Sequence, residues 1–220
     1  MSKTNSHREE VQHLIVITAA QMVQAKGQEA LSMRTLAAKL ERSPASLYKY
    51  FANKAAILDA VRQIALQQMA EGFLDAEREG SGPLEKVRTA CRAMIAFALQ
   101  EPRLYLLIYN QPKDTRPNYK EIFKTFHFRY MQKQLHIANR FGLLNLPDGF
   151  NVELLVLQLW TCIHGVITLR QSLMANESIF TKVSDQMLDQ MLENLENPKE
   201  LWQVPSPEFA ADLPEDIKYR

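Results

Sequence analysis

The chain has 220 residues, 46% of them hydrophobic, with only 7 glycines and a formal charge of +1, which is enough material for one larger or two small domains with a real core. Its Ala, Leu, Gln and Met content favours helix, no signal-peptide pattern opens it, and no uninterrupted apolar run approaches the ~20 residues that span a bilayer; the expectation is a soluble, cytoplasmic, all-α protein with no membrane partner. Cys91 and Cys162 stand singly inside apolar helical patterns with no CxxC, so buried free thiols are expected rather than a disulfide frame or a metal site.

The charge is unevenly placed. Residues 1–54 hold eight Lys/Arg against four Asp/Glu, a balance of +4, whereas residues 185–220 hold nine acids against three bases, a balance of −6. A polyanionic partner would therefore meet the N-terminal part.

In chain order, Val11, Leu14, Ile15, Thr18, Ala19 and Met22 recur at the spacing of one buried helical stripe that stops at Gly27, a C-cap glycine. Ser32 then caps a two-turn helix carrying Met33, Leu36, Ala37 and Leu40. Ser43 offers a second N-cap oxygen ahead of Pro44, which occupies the helical position where proline is best tolerated, and a short helix should fade near Ala52. Asn53 caps a longer helix with Ile57, Leu58, Val61, Ile64, Ala65, Gln68 and Met69 on its stripe, reaching toward Leu74.

The turn-rich stretch Glu79-Gly80-Ser81-Gly82-Pro83 is the clearest break in the chain. Beyond it, Leu84 to Leu99 is amphipathic, and Leu104 to Tyr109 is an apolar patch between Pro102 and Pro112. Residues Tyr119 to Phe141 are rich in aromatics (Phe123, Phe126, Phe128, Tyr130, Phe141). After a turn at Leu146-Pro147-Asp148-Gly149, residues Val152 to Leu173 are apolar nearly all round, as in a buried helix or one shared with a partner. A last pattern uses Met187, Leu188, Met191, Leu192 and Leu195, and a tail with four prolines extends from Asn197.

Two short helices joined by a turn and packed on a longer first one are what a helix-turn-helix requires. With Leu47 at zero and ~100° per residue, Phe51 and Pro44 join it on a buried face. Lys49, Ala45 and Ser46 lie opposite, and Tyr48 and Tyr50 occupy the flanks. Small residues for close approach to base edges, with hydroxyl and ammonium groups for phosphates, suit a major groove.

Ser32, Arg34, Leu36 and Ala37, followed by Leu47, Tyr48, Tyr50, Phe51 and Lys54, reproduce the "S-x-R-x-[IL]-A" and "LY-x-[HY]-F-x-x-K" spacing over some forty residues, and in this the chain resembles the DNA-binding domain of the TetR family of bacterial regulators. Glu41 departs from that pattern, which usually has a glycine or another small residue at this turn. The resemblance implies that Arg34 and Thr35 reach phosphates or the groove rim, that Ala45, Ser46 and Lys49 face bases, and that Tyr48, Tyr50 and Lys54 contact phosphates, with Ser43 on the same surface. Trp160, His164 and Gly165 further resemble the Trp-His-Gly (WHG) signature of one class of TetR C-terminal domains. A glycine in mid-helix, ~1 kcal/mol worse than alanine, points to a close approach by another helix or a ligand.

The resemblance implies an organisation of a three-helix helix-turn-helix domain at 1–54, a connecting helix at 55–78, a helical-bundle ligand-sensing and dimerisation domain at 84–196, and an acidic tail at 197–220, about nine helices in all. It implies a homodimeric repressor, joined through helices near 150–175 and 183–196, that leaves a double-stranded DNA operator when a small, largely apolar effector binds. Bulky residues on inward stripes (Met94, Phe97, Tyr109, Phe126, Tyr130, Trp160, His164) are the candidate effector lining, although an aromatic stripe at helical spacing is more often core. A DNA-binding protein controlled by a partner, or without an effector, needs the same residues. A helical-bundle enzyme is the remote alternative: the E-x-x-H run at Glu10-Val11-Gln12-His13 has the spacing of di-iron bundles but occurs once, and no nucleophile motif, glycine-rich phosphate loop or HExxH accompanies it. No catalytic residue, metal or cofactor is expected.

Overall fold

The computed structural model describes residues 3–109, 124–144, 146, 151–173 and 177–196. The expected features at Pro112, Tyr119, Phe123, Pro147-Asp148-Gly149 and the 197–220 tail lie outside them. The described residues form nine α-helices and one short 3-10 turn with no strand, so the fold is all-α. The helices are α1 (Lys3–Lys26), α2 (Met33–Lys39), α3 (Pro44–Leu47), α4 (Lys54–Glu79), α5 (Pro83–Gln100), α6 (Pro102–Tyr109), α7 (Phe126–Arg140), α8 (Val152–Leu173) and α9 (Glu177–Glu196).

The chain divides into two compact units, Met1–Met69 with Phe97–Arg116, and Ala70–Ala96 with Pro117–Arg220. The described residues 97–109 belong to the first unit, where α6 meets α1.

In the first unit α1 buries Val11, Ile15, Val16, Ala19, Ala20 and Val23. Leu14, expected on this stripe, is 49% exposed. The buried arc is wider than the sequence reading allowed because α1 meets both α2 and α6. Gly27 (φ 81) ends α1, donating its N–H to Val23 O at 2.7 Å, and Arg103 on α6 donates to the terminal carbonyls of Gln24 and Ala25. Those are the carbonyls a helix end leaves without partners.

Local capping chemistry holds each short helix. Ser32 Oγ accepts the Thr35 N–H at 3.0 Å while Thr35 Oγ1 accepts the Ser32 N–H at 2.9 Å, a reciprocal capping box. Asn53 Oδ1 accepts the Ala56 N–H at 2.9 Å at the head of α4. Along α4 the buried row is Ile57, Val61, Ala65, Met69 and Phe73, while Gln68, expected on this stripe, is exposed.

In the second unit α4 and α5 approach closely. A Cβ built on Gly72 would lie 2.6 Å from Ala93 Cβ, so glycine here permits the contact. Arg88 on α5 pairs with Asp189 on α9, and Arg92 reaches Asp189 at 3.5 Å and Asp185 at 3.7 Å. Cys91 is fully buried, as expected, and burial pushes its thiol up to about 12; Cys162 is half-buried. A Cβ built on Gly165 would meet nothing within 4 Å of its own chain.

Apolar helix α8 is long enough to cross a membrane by length and composition, with a mean hydropathy of 1.7 over Val152–Gln171, and 39% of that stretch is buried. Gln158, Thr161 and His164 interrupt its apolar run.

Candidate nucleic-acid interface and effector cleft

The α2–α3 corner is closed by a complete Schellman motif. Arg42 N–H bonds Ala37 O at 2.9 Å, and Glu41 N–H bonds Ala38 O at 3.2 Å. Glu41 occupies the left-handed position at φ 53, and it is the one non-glycine residue with positive φ among the described residues. The departure from a small turn residue at Glu41 is therefore a departure at a backbone position that favours glycine. The same motif at the end of α7 uses Gly142, at φ 66.

Helix α3 is shorter than expected, four residues followed by a hydrogen-bonded turn in which the Tyr50 and Phe51 N–H groups both reach Leu47 O, at 2.9 and 3.0 Å. Ser43 is its N-cap: Ser43 Oγ accepts the Ser46 N–H at 3.2 Å, and Ser46 Oγ donates to Ser43 O at 2.6 Å. Both serine hydroxyls, like that of Thr35, are thus tied into helix starts, and the Ser46 hydroxyl has only its acceptor lone pairs left for an outside partner. Leu47 is fully buried and Phe51 half-buried, while Pro44, expected on the buried face, is exposed because it forms the outer first turn.

The structure brings Arg34, Ala45, Tyr48 and Lys49 to the surface, Tyr48 being 56% exposed. Tyr50 is half-buried beneath Arg8, whose Cζ lies 6.0 Å from the ring centroid, and Lys54 is half-buried at the start of α4. A short, rigidly capped helix presenting one small residue between a phenol and an ammonium can approach base edges while its flanks meet phosphates. Arg8 and Gln12, both in contact with this turn, were not foreseen. Their partners are 41 and 38 residues away, and no local pattern encodes such contacts.

Of the seven candidate effector residues, five (Met94, Phe126, Tyr130, Trp160 and His164) lie in the second unit. Phe97 and Tyr109 belong to the first unit, where the Tyr109 ring lies 4.8 Å from that of Tyr105 and its hydroxyl meets the Met69 sulfur at 4.0 Å. Phe126 is 48% exposed and, with Tyr130, packs edge-on against Phe73, at 6.0 and 5.4 Å between ring centroids. Met94 and Trp160 do come together, with His127, Phe128, Met131 and Val156, around a small cleft in the second unit with a cavity volume of about 10 Å³. His164 stacks on Trp160 at 5.0 Å and 13°, the i, i+4 relation the sequence predicts.

The cleft carries no charge at neutral pH. Burial holds the His127 imidazole down to about 4, and burial also lowers His164, so each ring is neutral with one donor and one acceptor nitrogen. His127, on the same face of α7 as Met131, was missed because a histidine between two phenylalanines has no distinguishing pattern. Among the described residues no group of three or more His, Cys, Asp or Glu side chains gathers as metal ligands would.

Comparison with known proteins extends these observations. Residues 15–61 match the sequence model of bacterial regulatory proteins of the tetR family, and residues 87–195 match that of the tetracyclin repressor-like C-terminal domain. No curated protein matches the chain significantly. Among solved structures, a protein of unknown function from Rhodococcus sp. RHA1 superposes with a TM-score of 0.71 at 20% identity, covering 84% of this chain and 95% of that one. A TetR-family transcriptional regulator from Pectobacterium atrosepticum gives 0.68 at 18% identity over 90% and 98%. The TetR-family regulator PfmR from Thermus thermophilus gives 0.61 at 23% identity over 83% and 99%. At these identities the likeness is one of fold.

Proposed function

Because the chain belongs to the tetR family of bacterial regulatory proteins, DNA-binding regulators of transcription rather than enzymes, we propose that it is a homodimeric cytoplasmic repressor released from its operator by a small, largely apolar effector. The observation that carries the DNA-binding surface is the α2–α3 corner, where Arg34, Ala45, Tyr48 and Lys49 are exposed on a capped frame. On this reading Ala45, Lys49 and the acceptor side of Ser46 meet bases. Arg34, Tyr48, Tyr50 and Lys54 meet phosphates, while Ser43 and Thr35 act mainly by capping.

Dimerisation is supported by α8 and α9. Leu157 and Leu169 on α8 and Val183 on α9 are exposed, and an apolar helix with 39% of its length buried is half-covered by its own chain. A second copy would cover that surface, with Gly165 giving the partner helix room to approach. Residues 1–54 then serve as the DNA-binding domain and 84–196 as the sensing and dimerisation domain, linked by 55–78. The stacked Trp160–His164 pair ahead of Gly165 supports the narrower WHG reading.

Effector binding draws on the neutral aromatic cleft, which would take an uncharged apolar molecule with one polar handle for an imidazole. With a cavity volume of about 10 Å³, far below the ~300–1,000 Å³ of most ligand sites, the cleft would have to open to admit an effector, and this favours, as a second reading, control by a partner without an effector. An effector acts by binding DNA-competent and incompetent states with different affinity. A thermal-shift screen of small apolar compounds separates the two readings, since midpoint shifts abolished by Trp160→Ala mean an effector and no shifts mean a partner. The DNA-binding reading itself predicts enrichment of a pseudo-palindromic duplex from a randomised library, with half-sites about one helical turn (~34 Å) or a multiple apart. Lys49→Ala and Tyr48→Phe should each weaken that duplex about tenfold without unfolding the protein; unchanged affinity in both would remove the assigned face.

A further inference from the structure

The geometry points to Arg8, assisted by Gln12, as a positioning residue that holds the turn carrying Tyr48, Lys49 and Tyr50 in its DNA-reading conformation. The inference rests on the reading of α3 as the DNA-facing helix. Four residues of α3 are too few to define the geometry of the turn beyond them, because an isolated turn of helix is unfavourable. The hydrogen bonds that continue it both end on a single carbonyl, that of Leu47, so the carbonyls of Lys49 and Tyr50 are left to find partners elsewhere.

They find them on α1. Arg8 Nη2 donates to Lys49 O at 3.3 Å, and Gln12 Nε2 donates to Tyr50 O at 3.5 Å. The Arg8 guanidinium also lies over the Tyr50 ring, 6.0 Å from its centroid, in the range of a cation–π contact. Arg8 and Gln12 are one helical turn apart, on the same face of α1, and the buried Val11 and Ile15 fix that helix to the core. The reading turn is thus held from below by Leu47 and from the side by Arg8. Both α1 residues precede residue 15, where the match to the DNA-binding family model begins.

Arginine suits the task because its planar fork can stack on a ring and donate to a carbonyl at once, which a lysine ammonium cannot do with the same geometry. The test uses the full-length protein and the duplex enriched from the randomised library by the wild type. Affinity is measured by fluorescence anisotropy across a salt series, with thermal unfolding followed in parallel. Arg8→Ala and Arg8→Lys should each weaken binding about tenfold, with the salt slope unchanged and the unfolding midpoint within a few degrees of wild type. If Arg8 instead touched DNA itself, Arg8→Lys would keep full affinity and Arg8→Ala would make the slope shallower by about one unit, and the positioning role would be overturned. Wild-type affinity in both variants would overturn it too. Failure of the underlying α3 reading is distinguishable, because it shows as wild-type affinity in Lys49→Ala and Tyr48→Phe, measured in the same titrations.

Discussion

Lowering the pH from 7 to 5 probes the aromatic cleft through His127. This side chain is buried between Phe73 and Phe128, at 6.4 and 5.0 Å between ring centroids, and burial depresses its folded-state value to about 4 from an ordinary 6.5. A folded value below the unfolded one means that the unfolded chain binds the proton more tightly. The contribution to stability is therefore complete above about pH 6.5 and is lost as the pH falls through about 4. At pH 5 the unfolded imidazole is almost fully protonated and the folded one about one-tenth so, a loss on the order of 2 kcal/mol. Urea unfolding of the wild type and of His127→Phe at both pH values isolates this group, because a phenyl ring fills similar space and every other titrating group, His164 included, is common to the two proteins. The wild type should lose on the order of 2 kcal/mol more than the variant between pH 7 and 5. Equal losses would refute the buried, neutral histidine and with it the uncharged cleft.

Gly72→Ala would place a methyl 2.6 Å from Ala93 Cβ; overpacking of ~1–3 kcal/mol outweighs a helix-propensity gain of ~1 kcal/mol, so net destabilisation is expected in urea melts, with recovery in the Gly72→Ala/Ala93→Gly double variant. Glu41→Gly relieves a left-handed backbone at φ 53; a strain of ~1–2 kcal/mol less an unfolded-chain term of ~0.4–1 kcal/mol predicts a gain of roughly 0.5–1 kcal/mol, and lower stability would mean that the side chain makes a contact that matters more than its backbone. Ser32→Ala removes the Thr35 N–H acceptor at 3.0 Å and should cost about 1 kcal/mol, a loss that chemical denaturation would detect; no loss would show the capping box to be dispensable.

What the residues alone determined here is local. Ser32, Ser43 and Asn53 are N-caps and Gly27 ends α1, because a cap depends on one side chain and the backbone within three or four residues of it. The helix-turn-helix was legible for the same reason, being a sequence of such stops and starts at fixed spacing. Tertiary structure decided whatever depends on neighbours distant in the chain. Leu14 is exposed and Val23 buried because α1 meets two partners, and Tyr109 packs against Tyr105 and Met69 in the unit where α6 lies against α1. A Cβ on Gly72 would strike Ala93 while one on Gly165 would meet nothing within 4 Å of its own chain, a difference set by neighbouring helices and not by local sequence. The brace from Arg8 to the reading turn spans 41 residues, a distance over which periodicity carries no information and only the folded path of the chain brings donor to acceptor.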